Sequence, residues 1–230
     1  MDVSTETLVN EMPIAPKWGV KKNSDGKNVY WFGYKGHLAV STKSQYIVRG
    51  LMSSGSLNDG KAAIPLLKQI QQTMPSLFRA GLMDKGYDYT PIYQQLQKMN
   101  LSAVIGYNPR REGEVIGFDE HFALTCVREH SFRYDSYDAK YETLKYSRPK
   151  ECATCPLKDD SLCQKVYKIK RSVDLRKYTS PDRGSLKWSL YYKQRAAVER
   201  VNAYLKEYFD LNNVRHRTGK KRKSIFNSLH

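Results

Sequence analysis

From Val29 to Val40 (VYWFGYKGHLAV) the chain is dominated by aromatic and β-branched residues, which predicts a long strand. Across a polar turn, Gln45 to Met52 (QYIVRGLM) predicts its antiparallel partner. Asn58, Asp59 and Gly60 supply capping and turn chemistry ahead of a helix whose apolar positions are Ile64, Leu66, Leu67 and Ile70. Phe78 to Met83 predicts a short strand running straight into Asp84-Lys85-Gly86-Tyr87. Thr90 is the expected cap of the next helix, with Ile92, Leu96 and Met99 at helical spacing, and Leu101 to Tyr107 (LSAVIGY) predicts a further strand. A strand pair, then helix, strand, helix and strand, suits a mixed α/β sheet.

After Asn108 the pattern changes. Residues 108–186 are polar, basic and Tyr-rich without a clear period, and read as an insertion with its own small structure and little core. Helical order returns near Trp188 and is expected to continue to about Phe209. The organisation expected is an N-terminal arm over 1–28, the first part of a core over 29–107, the insertion over 108–186, and a closing core helix with a basic tail over 187–230.

In the last helix, Tyr192, Arg195, Glu199 and Lys206 fall within a roughly 60° arc at ~100° per residue. Val198, Val201, Leu205 and Phe209 form a separate apolar stripe. One face is thus free to dock while the other aligns a phenol, a guanidinium, a carboxylate and an ammonium. The plainer reading is a solvated face with an Arg195–Glu199 pair at i,i+4, worth about 0.2–0.5 kcal/mol.

Charge adds a partner. Thirty-nine Lys and Arg against 23 Asp and Glu leave +16, an excess that favours polyanions through counterion release. From Tyr191 to His230 ten basic residues face three acidic ones, and in the run that ends at Lys223 the candidate nucleic-acid contacts are Lys220, Lys221 and Arg222. The basic segments lack a strong apolar face beside them, which argues against membrane. Met1 to Glu11 is acidic and polar, unlike a secretory signal, so a soluble, cytoplasmic and nucleoid-associated protein is expected.

All four cysteines, Cys126, Cys152, Cys155 and Cys163, lie in the insertion. That clustering points away from a disulfide framework and towards metal or plain burial. Four thiolates are a candidate Zn²⁺ site that would staple the insertion, with His130 as an alternative ligand. His37 and His216 read as surface or DNA-facing residues rather than ligands.

The spacing Y-x2-R-x3-E-x6-K, here Tyr192, Arg195, Glu199 and Lys206, resembles the signature of bacterial insertion-sequence transposases with a DDE catalytic core. Asp84-Lys85-Gly86-Tyr87 resembles the D-x-G-[YF] motif around the second catalytic Asp of that family. Gly33-Tyr34-Lys35-Gly36-His37 resembles the strand that follows the first. The resemblance implies an RNase H-like sheet with flanking helices, in which carboxylates converge on two divalent ions, Mg²⁺ or Mn²⁺. Paired ions about 3.5–4 Å apart activate an attacking oxygen and stabilise the leaving one at an anionic phosphodiester. It implies Asp84 and Glu199 as catalytic metal ligands, Arg195 and Lys206 on phosphates, and Tyr192 on a phosphate or base. DNA, both the element's terminal repeats and the target, is the implied partner, and a second copy of the chain is a candidate partner.

The family's first Asp belongs at a strand end upstream of Val29. The acidic residues there are Asp2, Glu6, Glu11 and Asp25. Asp2 has no strand before it, Glu6 and Glu11 suit a solvated helix face, and Asp25 sits in a turn. The expectation is a truncated chain that holds two of three metal ligands and does not cut DNA by itself.

Overall fold

The structure, a computed structural model, describes residues 3–23, 25–113, 115–160 and 163–209. In chain order its elements are α1 (Thr5–Asn10), β1 (Lys17–Lys22), β2 (Asn28–Val40), β3 (Ile47–Ser54), α2 (Asp59–Thr73), β4 (Ala80–Met83), α3 (Thr90–Lys98), β5 (Ser102–Ile105), β6 (Arg133–Asp138), β7 (Thr143–Ser147), β8 (Val166–Lys170), α4 (Leu186–Lys193) and α5 (Ala196–Tyr208). The fold is mixed α/β. Two compact units divide it, one from residues 1–78 with 194–230, the other from 79–193. The division falls at Phe78, not at the 107/108 boundary expected from composition.

In the first unit β1, β2 and β3 form an antiparallel sheet. The long β2 serves two partners in succession: residues 28–33 pair with β1, and Tyr34–Val40 with β3. Residues 1–28, expected as an arm, therefore contain a helix and a paired strand. Ser4 caps α1 by accepting from the Thr7 N–H at 3.1 Å. The partner strand starts at Ile47 rather than Gln45, because Gln45 has φ +60° and is still in the turn. Asn58 caps α2 as expected, its Oδ1 accepting from Gly60 N–H at 2.9 Å. Ala62, Ala63, Leu66, Leu67 and Ile70 bury the face of α2 that meets β2 and β3.

In the second unit β4 and β5 pair in parallel, with Ala80 opposite Ser102 and Met83 opposite Ile105. A parallel pair requires a crossover, which α3 provides. Thr90 begins α3 instead of capping it. Tyr89 holds the cap position with no capping hydrogen bond from its side chain, and Pro91 in the first turn needs no backbone partner.

The stretch read as having little core has one. β6, β7 and β8 form an antiparallel sheet whose buried cluster is Phe122, Ala123, Phe132, Leu144, Tyr146 and Tyr178. Its inward positions are largely tyrosines spaced by charged residues, so the period of two is present but masked by polar composition. Tyr146 donates to the buried Asp182 at 2.6 Å, which supplies the phenol with a partner inside that core.

The single helix expected from Trp188 to Phe209 is two. α4 ends at Lys193 and α5 begins at Ala196, joined by i→i−3 bonds from Ala197 N–H to Gln194 O and from Val198 N–H to Arg195 O. Each half serves a different sheet: α4 packs on β4 and β5, whereas α5 packs on β2 through Ala197, Val201 and Leu205. Phe209, expected on the apolar stripe, is the exposed C-cap of α5. No described helix is long and apolar enough to cross a membrane.

Candidate functional site

Asp84 follows directly from the last residue of β4, where a half-buried strand delivers its next side chain to the surface. It caps a 3₁₀ turn over Lys85–Tyr87, and its Oδ1 accepts from Gly86 N–H at 2.7 Å. A Cβ on Gly86 would lie 2.9 Å from that oxygen, so glycine is what lets backbone and carboxylate meet. The carboxylate is exposed, with one oxygen oriented by the turn. Hard oxygen donors of this kind suit Mg²⁺ or Mn²⁺.

The turn is anchored by the next acidic residue, which motif reading passed over. Asp88 is fully buried. Its Oδ1 accepts from Tyr93 Oη–H at 2.7 Å, and its Oδ2 accepts from Asn108 N–H at 2.9 Å and from Arg176 Nη2 at 3.0 Å. Asn108 also donates to Lys85 O at 3.2 Å, tying the Asp84 turn to the same network. Arg176 bridges on to Glu112 at 2.8 Å. Bonds from Tyr107, Lys177 and Arg176, in that order of effect, hold the Glu112 carboxyl down at about 2. The only local cue was an Asp just past a turn motif. Its cation lies 88 residues further on, where no spacing rule reaches.

Tyr192 lies in this same unit. A Cβ on Gly106 would come within 2.6 Å of the Tyr192 hydroxyl and 3.2 Å of Lys85 N. The phenol therefore lies over Gly106, beside the Asp84–Lys85 turn, and its ring stacks on Trp188 at 4.8 Å and 15°. The glycine after β5 makes that approach feasible.

Arg195, Glu199 and Lys206 belong to the other unit, so the four-residue signature is divided between α4, which carries Tyr192, and α5 with its N-cap. Arg195 Nη1 meets Glu199 Oε1 at 2.6 Å, the i,i+4 pair named as the plainer reading. Glu199 is exposed in the first turn of α5, and Lys206 is exposed in its last. The pair engages one carboxylate oxygen and leaves the charged head at the surface.

The Gly33–His37 segment is structural at its polar end. His37, expected at the surface, is buried, and its Nε2 lies 2.8 Å from Ser53 Oγ. Burial is the largest cause that lowers its imidazole to about 4, opposed by Asp59 and reinforced by Lys35. Lys35 donates to Leu57 O at 2.9 Å and pairs with Asp59 at 3.1 Å. The motif thus braces β2 against β3 and the start of α2.

All four cysteines are reduced. Burial raises the Cys152 thiol first, and Cys163, Cys126 and Cys155 raise it further. Cys155 is lowered by the Leu157 backbone N–H and then by Arg128, whose Nη1 is 3.9 Å from its sulfur. His130 receives the Cys126 N–H on its carbonyl at 2.9 Å, closing a tight turn. Thiols suit zinc chemically, yet among the described residues no group of three or more His, Cys, Asp or Glu is placed to hold a metal ion. His216, Lys220, Lys221 and Arg222 lie outside the described residues, as does Asp2.

One family model, that of a transposase DDE domain, matches residues 4–226. No match is found among curated proteins or among solved structures.

Proposed function

Because the chain belongs to the transposase DDE-domain family, we propose that it carries two metal-ligand carboxylates of a centre that cuts and joins DNA, Asp84 and Glu199. The family match over nearly the whole chain is the observation that carries this reading. Asp84 supports it locally: an exposed carboxylate at a strand end, oriented by a glycine turn whose Asp-Lys-Gly-Tyr sequence resembles the family's motif. Bound Mg²⁺ or Mn²⁺ would activate the attacking oxygen and offset charge at the phosphorus. Asp84 and Glu199 would hold it, while Arg195 and Lys206 neutralise phosphates and Tyr192 meets a phosphate or base. An RNase H-like core accords with an antiparallel strand trio followed by a helix-linked parallel pair.

Mn²⁺ binding to the DNA-bound chain tests the assignment. Asp84→Asn and Glu199→Gln are each expected to lower Mn²⁺ affinity about 10–100-fold with DNA binding kept. Unchanged affinity would refute the two roles.

A second reading is a DNA-binding transposase remnant without catalysis. The net charge of +16 favours it, since a grip on phosphates needs cations and no metal centre. Binding without metal-dependent nicking of DNA supports the remnant. Nicking that Glu199→Gln abolishes would show that the chain's own carboxylates suffice.

A further inference from the structure

The β1–β2 ribbon has two unlike faces. On one, Trp31 covers Gly19 so closely that a Cβ there would lie 2.3 Å from the indole, and Gly55 O closes in at 2.6 Å. That face is packed. On the other, Trp18 stands opposite Phe32 and Val20 opposite Tyr30. These four are 66%, 60%, 54% and 62% exposed, in that order. Trp18 and Phe32 meet edge to face at 5.5 Å. Hydrophobic side chains left this open on a paired ribbon have no role in the unit's core, and large exposed apolar patches usually mark a binding surface.

Charge selects the occupant. Lys22 shares the face of Trp18 and Val20, Lys27 is exposed in the turn beyond it, and Lys17 and Lys21 leave β1 on the opposite side; Asp25 in the turn is the one acidic residue among them. Asp25 is held by Asn23, whose Nδ2 donates to its Oδ2 at 3.3 Å. Aromatic rings flanked by cations form the surface on which unpaired bases stack while lysines follow the phosphates. The ring rows, Trp18/Phe32 and Val20/Tyr30, are two residues apart along each strand, about 7 Å. That spacing is open enough for bases to lie on or between them.

We propose that this face of the β1–β2 ribbon binds unpaired bases of single-stranded DNA. The inference rests on the transposase reading for its partner, since cutting and joining strands exposes unpaired ends, but its residues are separate from Asp84 and Glu199. Duplex DNA keeps its bases stacked inside and offers these rings much less.

The test compares a labelled oligothymidylate with a duplex of the same length, using the full chain and Trp18→Ala/Phe32→Ala. The substituted side chains are exposed, so unfolding should be unaffected, and a Trp18→Phe/Phe32→Tyr variant keeps both rings as a control. The alanine variant is expected to lose about 5–150-fold in single-strand affinity per stacked base. Its salt slope should not change, because no phosphate contact is removed. Duplex affinity should stay within about threefold, and the aromatic variant should bind as the parent does. Unchanged single-strand affinity with duplex binding intact would overturn the proposal and leave the transposase reading standing. A parent chain that binds neither DNA would overturn both. A dimer that the alanine variant converts to monomer, with single-strand binding unaltered, would assign the face to a second copy and refute the proposal.

Discussion

Replacing Arg176 with methionine tests the claim that a buried ion pair holds the Asp84 turn. Methionine fills similar volume but removes both bonds to Asp88, the bond to Glu112 and one to Asn108 O at 2.9 Å. Asp88 would remain fully buried with only Tyr93 and Asn108 N–H as partners. Breaking a buried pair in this way costs about 3–5 kcal/mol, because the remaining charge is uncompensated. The half-exposed contact with Glu112 adds at most about 1 kcal/mol. Hydrogen exchange of the β5 and β7 amides reads the loss in the unit concerned, as faster exchange by about two to four powers of ten. Asp88→Asn in the same background removes the orphan charge, and the double variant should recover a large part of the loss, the coupling a double-mutant cycle measures. An Arg176→Met cost below about 1 kcal/mol, or a double variant no better than the single, would refute the reasoning.

Three further outcomes follow from the geometry. The His37 imidazole is lowered from 6.5 to about 4, so between those values the unfolded chain binds the extra proton. Stability should therefore fall as pH drops from about 6.5 to about 4, by at most about 3 kcal/mol, and His37→Gln should flatten that slope in urea titrations. Gly106→Ala should force the Tyr192 hydroxyl outwards and cost about 1–3 kcal/mol, read as a lower Tm with loss of the Trp188–Tyr192 stack. Cys155 should alkylate first and Cys152 last, since their thiols are moved in opposite directions. Slowing of all four by added Zn²⁺ would support a zinc site, and rates unaffected by Zn²⁺ would count against it.

The sequence makes much of the strand and helix order legible, for physical reasons that can be named. β2 is conspicuous because six of its thirteen residues are aromatic or β-branched and two more are glycines, which disfavours a helix, and α2 because Asn58 offers the cap its first turn needs. Asp84 could be read from a turn that demands glycine two residues on. Other features depend on contacts that no local pattern encodes. The break between α4 and α5 is hidden because both halves keep good helix formers and diverge only in which sheet each meets. The core of β6–β8 escapes a hydropathy reading because tyrosine fills it. His37 looks like a surface residue until Ser53, sixteen positions away, is placed against it. Asp88 shows the same limit more sharply, since a lone carboxylate gains its meaning from Arg176.

The most direct test of the metal-ligand claim is Mn²⁺ binding to the DNA-bound chain, followed by the electron paramagnetic resonance signal of free ion. The parent is predicted to hold Mn²⁺, with Asp84→Asn and Glu199→Gln each releasing it while DNA stays bound. Mn²⁺ held equally well by parent and both variants would contradict the assignment.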